Sequence, residues 1–159
     1  MALFDEFLRH PSLRKEGSIL LNAMKQQEWT TAESFLETAC ARDIVGYRDD
    51  FGNSLLHTAL GFKAPDEFLF KLIVMDPEAT QVSGVDGWYP LHVAAMWGCS
   101  SAVMDDIIRR YPEALDITSD NGRTPRQFAD RFAHNKDALE RTTAEWLSII
   151  RIKRRKPQG

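Results

Sequence analysis

Glycine falls at positions 52, 87 and 122 of this 159-residue chain, thirty-five residues apart each time, and each glycine opens a related segment. The segments read Gly52-Asn53-Ser54-Leu55-Leu56-His57-Thr58-Ala59, Gly87-Trp88-Tyr89-Pro90-Leu91-His92-Val93-Ala94 and Gly122-Arg123-Thr124-Pro125-Arg126-Gln127-Phe128-Ala129. A second landmark keeps the same step, since Asp76-Pro77-Glu78-Ala79 returns as Tyr111-Pro112-Glu113-Ala114. Two landmarks on one period imply a supersecondary unit copied along the chain, each copy burying its apolar face against its neighbours.

The periodicity within each copy is helical. Phe68, Leu69, Leu72 and Ile73 form one apolar stripe, and Val103, Ile107 and Ile108 form its counterpart one unit later. Ser100 or Ser101 suits the cap of the second stripe, Arg109 and Arg110 suit its C-terminal end, and Pro65 suits an opening turn. Residues 18–48 make a degenerate first unit, in which Thr30 and Glu33 fit a capping box. In the last unit one helix is expected over Asp137 to Arg151, with Asn135 as its cap and Leu139, Thr143, Trp146, Leu147 and Ile150 on one face. Arg126 and Gln127 replace Leu and His there, as an end unit with nothing stacked beyond it would allow.

The segment Asp86-Gly87, Pro90-Leu91-His92-Val93-Ala94-Ala95 and the closing Gly98 resembles the ankyrin repeat, a turn plus two antiparallel helices. The resemblance covers about residues 18–151. It implies an all-α, ankyrin-like helical-repeat solenoid with short hairpin turns and units of about 18–48, 49–83, 84–118 and 119–151. Pro-Glu-Ala stands where the family usually ends a helix on glycine, which implies a longer outer helix and a shorter hairpin.

By the same resemblance Gly52, Gly87 and Gly122 form the turns, and Pro90, Leu91 and Pro125 open and pack the inner helices. His57 and His92 tie adjacent loops through backbone hydrogen bonds. Partner-facing positions carried over residue by residue are Asp50, Phe51, Asn53 and Phe62; Asp86, Trp88, Met96 and Trp97; and Asp120, Arg123, Arg131 and Phe132. Large aromatics at solvent-facing sites dominate protein interfaces. Trp97 and Phe62 suit either a partner or the packing between inner helices, Trp88 suits either a partner or, with Tyr89, the bracing of a shortened hairpin, and Phe132 suits either a partner or a shield for the C-terminal end.

The remaining chain bounds the function. No phosphate-binding glycine loop, nucleophile elbow or paired-acid motif is present, and no Cys/His spacing suits a metal. A non-catalytic module with no cofactor and no metal, binding another protein, is expected. Cys40 and Cys99 read as reduced thiols. Asp5 and Glu6 stand where a secretory leader would be basic and then apolar, so an intracellular setting, cytoplasm or nucleus, is expected. Leu3, Phe4, Phe7 and Leu8 in residues 1–17 suit a capping helix or a free arm.

The net charge of −3 includes five basic residues from Arg151 to Lys156, and removing them leaves −8 for the rest. Such a body argues against nucleic-acid binding except through Arg151–Lys156. That basic tail, residues 152–159 with Arg151, suits a solvated helix end, a nuclear-import patch or an anchor for an anionic surface. A nuclear or anionic-surface-binding factor acting through this tail is the alternative to the protein-binding reading.

Overall fold

The computed structural model describes residues 11–38 and 41–155. The Leu3–Leu8 pattern, Cys40 and the tail from Lys156 onward lie outside the described residues. Nine α-helices follow one another among those described, and they contain no β-strand. They are α1 (Pro11–Lys25), α2 (Trp29–Leu36), α3 (Ala41–Ile44), α4 (Leu55–Gly61), α5 (Asp66–Met75), α6 (Pro90–Trp97), α7 (Ser101–Arg110), α8 (Ala133–Glu140) and α9 (Thr143–Arg155). Short 3-10 turns cover Pro77–Gln81, Val85–Gly87, Pro112–Asp116 and Pro125–Arg131. No described helix is long and apolar enough to cross a membrane.

Helices α4 and α5 pack together, as do α6 and α7. The first members of these pairs also touch, α4 against α6 and α6 against the 125–131 turn, while α5 meets α7 and α7 meets α8. The faces between them hold the core. Leu55, Leu56 and Leu60 of α4 meet Leu91, Ala94 and Ala95 of α6, backed by Phe68 and Ile73 of α5 and by Val103, Met104 and Ile107 of α7, all buried. Full burial contributes about 1.5–3 kcal/mol for each large aliphatic side chain, so this seam is the main cohesive force between pairs. The alanines matter for a different reason, because their small size lets the helix backbones approach closely.

The two Pro-Glu-Ala segments end the outer helices in 3-10 turns instead of on glycine, and they bury Ala79 and Ala114. Each connecting turn is then closed by one backbone bond at the repeated positions: Asp49 N–H to Asn53 O, Gly84 N–H to Trp88 O and Ser119 N–H to Arg123 O, at 3.0, 2.7 and 2.8 Å. Gly87 sits in the left-handed region at φ +69°, where a side chain would be strained and would run into the Asp120 carboxylate. Neighbouring turns are also stitched directly, Asp120 N–H donating to Asp86 O at 2.8 Å.

Several helix ends differ from expectation. The boundary expected at residues 17 and 18 falls inside α1, where Gly17 is buried beneath the Tyr47 ring. Thr30 and Glu33 do not form a capping box. Helix α2 starts one residue earlier at Trp29, because Gln27, in the left-handed region at φ 60°, and Glu28 both bond back to α1 and leave no room for a longer link. Glu33 pairs instead with Lys71 of α5.

The single helix expected over Asp137–Arg151 is two helices broken at Arg141 and Thr142. A threonine cap causes the break: Glu145 N–H donates to Thr142 Oγ1 at 3.2 Å and Thr142 N–H to Glu145 Oε2 at 2.7 Å. Asn135 is not a cap. It is buried within α8, its Nδ2 donating to Cys99 O at 2.9 Å.

Arg126 has a different environment from the one its sequence position suggests. Its guanidinium is mostly covered and donates to the carbonyls of Leu139 and Arg141 at 2.7 and 2.6 Å, and to Asp116 Oδ1 at 2.7 Å. It therefore holds the end of α8 and the start of α9. Trp146, 0% exposed, fixes α9 from the other side with Nε1–H donating to Ala138 O and the Arg109 and Arg141 guanidinium groups over its ring.

Candidate functional site

The turns and the first helix of each pair put one face of the molecule in reach of solvent, and large aromatics stand on it. Phe51 follows Asp50 at the tip of the 49–53 turn and is 71% exposed. Phe62 comes just past the end of α4 and Trp97 ends α6, exposed by 37% and 49%. These three line one cleft of about 310 Å3 together with Trp88, Asn53, Val85 and Lys25. Trp97 also borders a second cleft of about 300 Å3, shared with Phe132, Lys63, Cys99 and His134.

The other sequence-predicted positions divide by what already engages them. Trp88 is half-buried, its ring 5.7 Å from Phe128 and 5.8 Å from His92, so only one edge remains for a visitor. Asn53 is held locally, Nδ2 donating to Asp49 Oδ2 and Oδ1 accepting from Val85 N–H. Arg131 donates from Nε to Met96 O at 2.7 Å, which ties down both residues. Phe132 lies over Gly98, where any side chain would collide with its ring, and faces His134 at 6.0 Å. Asp86, Asp120 and Arg123 are exposed but stand outside both clefts, as do Asp50, Met96 and Arg131.

Several residues that line the first cleft escaped the sequence reading, Lys25 and Val85 among them. Lys25 belongs to the degenerate first unit, whose register the motif did not define. Val85 precedes the turn glycine by two positions, and its 42% exposure depends on the left-handed Asp86 that follows it.

The motif histidines are buried and bonded at both ring nitrogens. His57 Nδ1 accepts from Ser54 N–H at 3.1 Å, which puts the ring proton on Nε2, and Nε2 donates to Trp88 O at 2.8 Å. His92 repeats the arrangement: Nδ1 accepts from Tyr89 N–H, and Nε2 lies 3.0 and 3.1 Å from the carbonyls of Ile117 and Arg123. Burial drives the His57 pKa down to about 4 and lowers that of His92, so both rings are neutral at pH 7.

Ser54 Oγ is also 2.7 Å from His57 Nδ1, the contact a nucleophile and its base would make. Here the same hydroxyl caps α4 by accepting from His57 N–H, and Ser54 is 1% exposed. A substrate has no path to it. Burial pushes the Cys99 thiol up to about 12, which leaves it protonated and inert as a nucleophile. Among the described residues no three His, Cys, Asp or Glu side chains are grouped to hold a metal ion. Comparison of the chain with family models, with curated proteins and with solved structures returned no match.

Proposed function

We propose that this chain is a non-catalytic binding module of ankyrin-like repeats, a small solenoid that receives another protein on the face carrying Phe51, Phe62 and Trp97. One observation carries the reading: three large aromatics on consecutive helix pairs stay exposed along one continuous cleft, supported from beneath by an apolar core. An aromatic held exposed by a folded turn or helix end carries an ordering cost partly met on folding, which favours an interface anchor. The repeat reading is supported by the turn-closing bonds at the thirty-five-residue step and by the helix pairing. An intracellular setting accompanies it, in keeping with a half-buried free thiol at Cys99.

The double variant Phe51→Ala/Trp97→Ala tests the reading. Both side chains are largely exposed, so helical circular dichroism and the melting temperature are expected to stay near wild type, while the protein that co-purifies with the intact chain is lost. Trp88→Ala serves as the contrast and is expected to lower the melting temperature, because its ring packs on Phe128 and His92. Unchanged capture by the double variant overturns the proposal.

A further inference from the structure

The last turns of α9 carry Arg151, Lys153, Arg154 and Arg155 in the open, with Ile152 among them 58% exposed. Five cations elsewhere, Lys71, Arg109, Arg110, Arg126 and Lys136, lie against carboxylates. None of the four at the helix end takes part in an ion pair among the described residues. The C-terminal end of a helix favours cations through its partial negative charge. That accounts for the arginines and lysine but not for an aliphatic side chain held in water at their centre.

We propose that this helix end binds an anionic lipid surface, independently of the aromatic cleft. The chemistry of the patch selects the partner. Four cations within five residues ring the last turn of α9, so the tip of the helix presents charge to lipid phosphates and carboxylates, and Ile152 leaves water by entering the headgroup boundary. A nucleic acid presents a long track of phosphates and rewards a basic groove with aromatic stacking platforms. This patch has no aromatic residue, and the rest of the chain behind it carries −8 once Arg151, Lys153, Arg154, Arg155 and Lys156 are set aside. An acidic body repels a polyanion wrapped along it, but it tolerates contact confined to one tip. Each basic residue near such a membrane raises partitioning roughly fivefold at low salt.

Co-sedimentation of the full chain with lipid vesicles decides the matter. With phosphatidylcholine vesicles containing about a third phosphatidylserine at roughly 0.1 M salt, binding is expected to exceed that to pure phosphatidylcholine by at least about tenfold, and to collapse near 0.5 M salt. Lys153→Glu/Arg154→Glu is expected to abolish binding. Ile152→Ser should weaken it about three- to tenfold at unchanged charge. All three side chains are exposed, so circular dichroism should match wild type for both variants. Equal binding to neutral vesicles overturns the proposal, as does an Ile152→Ser chain that binds like wild type. Retention of a short DNA duplex that charge reversal removes and Ile152→Ser leaves intact would assign the patch to nucleic acid instead.

Discussion

The two central turns and the last one meet the same positional demand with different chemistry. At 57 and 92 an imidazole does two things: Nδ1 satisfies an N–H of its own turn, and Nε2 reaches a carbonyl of the next. At 127 a glutamine does the first alone, Oε1 accepting from Thr124 N–H at 3.1 Å. The second task has passed to its neighbour Arg126, which reaches across to α8 and α9. Closing a turn and tethering it to the next are therefore separable, and the motif histidine combines them because its two ring nitrogens point in opposite directions.

The largest expected effect comes from titrating the tethers. The unfolded chain takes up the His57 proton near pH 6.5 and the folded chain only near 4, so between these values the unfolded state holds more protons. The His57 contribution is whole above pH 6.5 and is lost as the pH falls toward 4, about 3 kcal/mol in all. Urea unfolding across that window should show it, with the slope flattened in His57→Gln. Separating the two tasks gives a smaller effect. His92→Gln keeps the local bond to Tyr89 N–H and strands the carbonyl of Ile117, while Arg123 O keeps the Ser119 N–H, and a loss of about 2 kcal/mol by urea unfolding is expected. The reverse change, Gln127→His, restores the imidazole where no later turn among the described residues waits to receive it, and stability should move by less than about 0.5 kcal/mol. A large gain there would mean that turn closure and tethering are one property after all.

The sequence made the repeated parts legible and left the unrepeated ones obscure. Pro90 and the stripe Val103-Ile107-Ile108 could be placed because local chemistry fixes them, a first helical turn and a period of 3.6, while the roles of Gly87 and His92 came from the ankyrin resemblance. The start of α2 could not be read from Thr30 and Glu33, since the length of the link from α1 decides it. The Thr142–Glu145 cap was concealed in a polar run whose apolar spacing continued across the break. At the candidate site, the resemblance to the ankyrin repeat marked Phe51, Phe62 and Trp97 as partner-facing. It gave no means of separating Trp97 from Trp88, because what covers Trp88 is Phe128, forty residues downstream, and only tertiary packing brings them together.

The imidazole bridges share one direction. Each ring is the donor and a later stretch of chain supplies the acceptor, first Trp88 for His57 and then Ile117 and Arg123 for His92. Each bridge therefore makes one stretch of chain lean on a later one: without the later stretch the ring Nε2–H loses its acceptor, and without the ring the carbonyl loses a donor.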